Sequence, residues 1–220
     1  MPDDILYVPY ILPGSQQGQW IDIYTRLNQE RILFLNQAIT DGVANSLVSA
    51  MLYLDSDDPS KPIYLYINSI GDPVSAGMAD VTAGMVSINA GLAIYDTMRH
   101  VKSEIVTICL GQAIGMASLL LATGTKGKRA SLPHSTIVLS HPRNGTRGQA
   151  SDIQINAKEV LAKQSLILDI LTETTGQPRE KIAQDMERNF YLTPEQAKAY
   201  GLIDRVLTSS KVPDPVAALA

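Results

Sequence analysis

The sequence predicts an α/β fold built around a mostly parallel sheet. Three observations predict it. Compact apolar, β-rich runs occur at Ile63–Ile67, Ile105–Leu110 and Ile137–Leu139. Apolar residues recur at helical spacing before and after those runs. Turn residues separate the two kinds of segment. Short apolar strands alternating with helices are the pattern of βαβ units, whose strands are covered on both faces.

Taken in order, the first nineteen residues mix Pro, Gly, Gln and aromatics without a period and read as an extended arm or axial loop. Two short apolar pieces follow, at Ile21–Tyr24 and Ile32–Leu35. Between Asp41 and Asp55, Val43, Leu47, Ala50, Met51 and Leu54 mark one helical face. Asp57, Asp58 and Pro59 end that helix. The Ile63–Ile67 strand is bounded by Pro62 before it and Asn68-Ser69 after it. In the C-terminal half, Ser151 and Gln154 form a capping-box pattern, and Ile153, Ala157, Val160, Leu161, Leu168 and Leu171 share a stripe. Gly176 and Pro178 stop that helix and start the next. Thr193, Pro194 and Gln196 give a further helix start, and Gly201 ends it. The tail after Ser209 reads as loose.

One internal repeat is present. Val74–Asp80, Val81–Ser87 and Ile88–Ile94 share a core of β-branched, polar, Ala, Gly, then Met or Leu, at a strict seven-residue period. Two extra heptads are too few for a solenoid, so a tandem duplication inside one helix is predicted. Its small residues, Gly91 among them, would let another element approach closely. The repeat reads either as a longer helix that only packs or as a reshaped site.

Composition narrows the function. The chain has 220 residues, 45% of them apolar and 18% charged, enough for one sizeable core. A net charge of −4 argues against a nucleic-acid surface. No run of about 18 apolar residues suggests a membrane span, and the N-terminus matches neither a secretory signal nor an Arg-rich transit peptide. The single cysteine, Cys109, sits in an apolar run, which fits a buried thiol and a reducing compartment. No histidine pair has metal spacing. No phosphate-cradling Gly-x-x-x-x-Gly-Lys occurs, so neither ATP nor another cofactor is expected.

An ordered set of segments then becomes specific. Asp22–Leu27, Tyr64–Ser69, Gly91–Met98, Thr107–Ala113, Ala122–Arg129, Gly148–Ile153 and Tyr200–Asp204 resemble, in order, the Clp protease proteolytic subunit family. The resemblance covers about residues 20–207. It implies a ClpP/crotonase-like domain over 20–208, with a protruding handle of helix and strand at about 137–174 and a loose tail at 209–220. It also implies two stacked rings of seven subunits enclosing the proteolytic sites.

Residue by residue, the family's serine, histidine and aspartate are missing. The nucleophile position in Gly111-Gln112-Ala113-Ile114-Gly115-Met116 is Gly115, which has no oxygen to attack a carbonyl. After Leu132–Leu139 the base position is Ser140, and His141 is one residue on, where strand alternation turns it to the other face. After Arg188 the acid position is Asn189, which keeps the size without the charge. In the loop whose backbone would hold the oxyanion, Asn68-Ser69-Ile70-Gly71-Asp72 places Asp72 at the key glycine. If the fourteen-residue insertion falls earlier, those positions become Met85-Val86. An acidic group beside a developing anion is unfavourable.

The resemblance therefore implies the silent ClpR-type branch of the family: a subunit in mixed rings with active ClpP-type subunits, capped by an AAA+ Clp ATPase, through which polypeptide substrates pass. Its docking cleft would use Tyr64, Tyr66, Ile108, Leu110, Leu132 and Leu207, with Ala130 replacing a usual aromatic. Arg188 would pair with a carboxylate at the ring-to-ring contact. A cyanobacterial cytoplasm fits better than a plastid stroma. Two alternatives stand beside this reading: an active serine peptidase using Ser118, or Ser140 with His141, and a crotonase-type acyl-CoA enzyme.

Overall fold

A computed structural model describes residues 6–11, 18–72, 83–141 and 149–208. The first extra heptad, the start of the second and the tail from 209 lie outside the described residues.

The described residues of the N-terminal arm are extended. Strands β1 (Tyr7–Ile11) and β2 (Gly18–Asp22) pair antiparallel, Tyr7 opposite Asp22 and Ile11 opposite Gly18. Helix α1 (Ile23–Gln29) follows, its N-terminus capped by the Asp22 side chain on the Thr25 N–H. Strand β3 (Ile32–Leu35) alternates buried Leu33 and Leu35 with half-buried Ile32 and Phe34. Helix α2 (Asp41–Asp57) starts at Thr40, whose hydroxyl accepts from Val43, and buries Ala44, Leu47, Met51 and Leu54.

The seven strands from β3 onward form a parallel sheet with one antiparallel edge. β4 (Ile63–Ser69) lies between β3 and β5 (Ile105–Ile114). β5 changes partner along its length. Thr107–Cys109 pair β6 (Arg129–Ser131), and Gln112–Ile114 pair β7 (Thr136–Leu139). β8 (Phe190–Leu192) runs antiparallel to β7, and β9 (Arg205–Val206) lies beside β6. The change of partner lets β5 serve two surfaces. Its first half carries an apolar outer face, and its second half delivers the chain to the strand-to-helix turn at Gly115.

Helix α3 (Ala83–His100) holds the third heptad. Helix α4 (Met116–Ala122) is buried on every side, which is why it reads as a continuous apolar run rather than an amphipathic one. Helix α5 spans Ala150–Thr175. Its first residues are exposed, with Ile153, Ile155 and Leu161 on the surface, whereas Ile167, Leu168, Ile170 and Leu171 enter the core. The predicted single stripe therefore divides: one half packs and the other stands out from the domain.

The predicted cap of this helix is wrong. Gln149 is the N-cap, without a side-chain bond, and its carbonyl accepts from Asp152 and Ile153. Ser151 lies inside the first turn, past the position from which a capping hydroxyl reaches the free N–H groups. Helix α6 (Arg179–Met186) and helix α7 (Pro194–Tyr200) complete the fold. Thr193 and Gln196 close a full capping box, and Gly176 and Gly201 end their helices as predicted.

Candidate functional site

The geometry of the ancestral centre begins at the end of β5. Gly115 adopts φ 55° and ψ −115°, outside the regions open to side-chain-bearing residues without strain. It is the sharp strand-to-helix turn on which hydrolases present a nucleophile. Its N–H donates to the Val138 carbonyl at 2.9 Å, tying the turn to β7. A Cβ built at Gly115 would meet one atom within 4 Å, the Ser140 hydroxyl oxygen at 3.2 Å. The structure thus sets Ser140 against the position from which a side chain at Gly115 would emerge.

Asn189 immediately precedes β8, the strand that pairs with β7. Leu139 lies opposite Phe190 in the last pair of the antiparallel β7–β8 ladder, and Ser140 and Asn189 are the residues that flank that pair. Ser140 is thus set against Gly115, 25 positions before it, while Asn189 is exposed beside the end of the β7–β8 ladder, 49 positions further along the sequence.

His141 has a different environment. Its Nδ1 is buried without a hydrogen-bond partner, and burial lowers its pKa, partly offset by the nearby Glu187 charge. Ser118 is fully buried and its hydroxyl donates to the Gly115 carbonyl at 2.7 Å. That bond secures the first turn of α4 rather than aiming the oxygen into a cleft.

The loop after β4 packs against the turn from the other side. A Cβ at Gly71 would lie 2.1 Å from the Ile114 carbonyl oxygen and 3.1 Å from the Met116 nitrogen, and φ is 71° there. The Ser69 hydroxyl holds this loop, accepting from the Gly71 N–H and donating to the Gln37 carbonyl. Asp72 is buried directly after it. The ungapped register puts Gly71-Asp72 at the turn. Met85-Val86, the alternative pair, lie in the first turn of α3.

Cys109 is fully buried, and burial pushes its thiol up to about 11. It is core. His134 is exposed in a loop and His100 exposed in the last turn of α3. Among the described residues no group of three or more His, Cys, Asp or Glu side chains could hold a metal, and no helix is long and apolar enough to cross a membrane.

The second predicted surface is the outer face of the sheet. Tyr66, Ile108, Leu110 and Leu207 gather around Val106 and Ala130 in an apolar cluster separate from the main core. Tyr64 and Leu132 are more exposed and stand outside that cluster. Sequence reasoning missed three members of this face: Val106, Phe34 and Tyr24. Phe34 stacks on Tyr66 at 5.5 Å between ring centroids, and Tyr24 meets Phe34 edge-on at 5.7 Å. The alternation of β3, with Leu33 and Leu35 inward, is the signal that turns Phe34 outward. Arg188 is exposed and makes no ion pair among the described residues of this single chain.

An α/β domain with a parallel sheet, an elbow at the end of a central strand and a long projecting helix defines the ClpP/crotonase fold class. Within that class this chain belongs to the Clp protease family, whose model matches residues 15–83 and 82–210. The two matched stretches meet at residues 82 and 83, inside the heptad repeat. The chain is 56% identical over 209 residues to the ATP-dependent Clp protease proteolytic subunit 2 of Prochlorococcus marinus (strain MIT 9312), covering 94% of this chain and 96% of that one. It is 54% identical over 209 residues to the proteolytic subunit 3 of Synechococcus sp. (strain CC9605), covering 94% and 98%. These relatives are cyanobacterial paralogues of the proteolytic subunit, and the match is to the protease branch of the fold rather than to acyl-CoA enzymes.

Proposed function

We propose that this chain is a proteolytically silent, ClpR-type subunit that joins active ClpP-type subunits in the barrel of an ATP-dependent Clp protease. One observation carries the proposal. The elbow persists with a glycine at its apex, and the side chain facing that apex is a serine hydroxyl, not an imidazole. A hydroxyl of ordinary pKa cannot act as a base at neutral pH, and Asn189 offers no charge to orient or stabilise an imidazolium. Asp72 adds a carboxyl group where an oxyanion would need donors.

The parts that build a subunit support the same reading. The exposed half of α5 is the handle for ring-to-ring contact, with Arg188 seeking its carboxylate on a neighbouring subunit. The outer-face cluster is the seat for an AAA+ Clp ATPase, and polypeptide substrates pass through the barrel to sites on the partner subunits. The cyanobacterial relatives favour that cytoplasm as its setting.

A fluorophosphonate probe tests the reading. The chain alone, and the chain assembled with a serine-bearing Clp subunit, are incubated with probe and analysed by mass spectrometry. Label appears on the partner and none on this chain. Gly115→Ser alone gives no peptide cleavage, because base and acid are still absent; removing triad members leaves about 10³–10⁴ over water even in an intact protease. Stoichiometric label on the unaltered chain overturns the proposal.

A further inference from the structure

Beside the elbow lies a small cavity, lined by Gly115 and Ser140 and by Leu119, Ile167, Leu171 and Met186. Its volume is about 20 Å³. A water molecule needs about 10–15 Å³ on the same measure. In serine peptidases the pocket next to the nucleophile receives the substrate side chain on the acyl side of the scissile bond and sets specificity. Here that place has room for one water-sized group, where a leucyl or benzyl group needs several times the space.

The walls explain the closure. Met186, Leu171 and Ile167 are each at most 5% exposed and belong to the main core. They come from α5 and α6, which pack on each other while α5 also packs on α4, so the pocket cannot widen without disturbing packing already at interior density. Met186 is the last residue of α6 and the one wall on a short helix end, which makes it the wall most easily removed.

We infer that this subunit has lost its seat for a bulky apolar substrate side chain as well as its chemistry, and that Met186 is the residue closing the seat. Peptides moving through the barrel therefore find no anchoring pocket at this subunit and are not held there in competition with the catalytic neighbours. The closed seat rests on cavity geometry alone, and the consequence for peptides in the barrel rests on the proposed function.

The test uses the full-length Gly115→Cys variant, which needs no base. Its introduced thiolate attacks methyl or benzyl methanethiosulfonate, the new sulfur–sulfur bond forms, and methanesulfinate leaves. Cys109 stays silent because it is buried with its thiol pushed up to about 11. After correction for each reagent's rate with free cysteine, methyl transfer is at least about tenfold faster than benzyl transfer. Adding Met186→Ala brings the two within about threefold. Equal rates in the first variant, no effect of Met186→Ala, or no reaction with either reagent in the folded protein overturns the inference. If Gly115→Cys does not fold, the triple variant Gly115→Ser, Ser140→His, Asn189→Asp is assembled with partners whose nucleophile is alanine. It then cleaves peptides after alanine at least tenfold better than after leucine, and equal cleavage overturns the inference. Fluorophosphonate label on the unaltered chain sinks the silent-subunit reading alone and leaves this one standing.

Discussion

Arg129 is 3% exposed and carries a full charge, so its partners decide whether it stabilises or destabilises the domain. Asp204 accepts from its Nε at 3.0 Å and its second terminal nitrogen at 2.7 Å, while the remaining arm donates to the Ala122 carbonyl at 2.9 Å. Asp204 also accepts from the backbone N–H of Gly127 and of Arg129. Burial works to raise the Asp204 pKa, but these donors outweigh it and hold the carboxyl below its ordinary value. The sign follows. A carboxyl with a depressed folded pKa adds stability that is present above its unfolded value of 3.8 and is lost as pH falls through the folded one. Asp204→Asn should lower stability at pH 7 by about 3 kcal/mol, because it leaves a buried guanidinium unpaired. Urea unfolding checks it, and the loss should shrink below pH 4. None of this was legible in the sequence beyond the motif containing Asp204, since 75 positions separate the partners and no periodicity links them. The three altered triad positions were legible, because each stands inside a short segment whose other residues keep their order.

Helix α3 crosses α4 at Gly91, the third heptad's glycine. A Cβ there would lie 2.2 Å from the Met116 Cγ, the stem of that side chain rather than its tip. Gly91→Ala should therefore destabilise by about 1–3 kcal/mol through overpacking, although alanine is the better helix former. Combined with Met116→Ala, part of that loss should be recovered, and a double-mutant cycle by urea unfolding should give a coupling of at least about 0.5 kcal/mol. Additive losses would mean the crossing relaxes by another route. Close approach at this glycine was predicted from the repeat's small residues. Caps show why local signals succeed or fail. At Thr193 the pattern coincides with a proline at the first helical position, which fixes where the helix begins. At Ser151 the same pattern stands alone, and the helix takes Gln149 as its N-cap instead. Strands β6 and β9, three and two residues long, were invisible because so short a run carries no period.

At the scale of the whole molecule, the sheet's outer face remains the surface most in need of a partner. Its apolar cluster of Val106, Ile108 and Ala130 is packed by Tyr66, Leu110 and Leu207 and extended by the Phe34 and Tyr24 rings. The strand pattern made Tyr64 and Tyr66 legible as one face, but the sequence could not show that Phe34 stacks across onto Tyr66, because the parallel register of β3 and β4 sets that neighbourhood. If the face docks an ATPase, a charge at its rim should break docking while sparing the fold. Leu132 is 38% exposed and lies outside both core clusters, so Leu132→Glu should change the unfolding free energy by no more than about 0.5 kcal/mol. In a core assembled with serine-bearing subunits, the same change should weaken the ATPase by about tenfold, the scale of losing one anchor in an interface. Peptide cleavage by the partner subunits without ATPase should stay at its original rate, which separates lost docking from lost assembly. Unchanged ATPase-dependent degradation would assign the cluster to the outer packing of the sheet alone, and a parallel fall in both activities would place Leu132 at a contact between subunits.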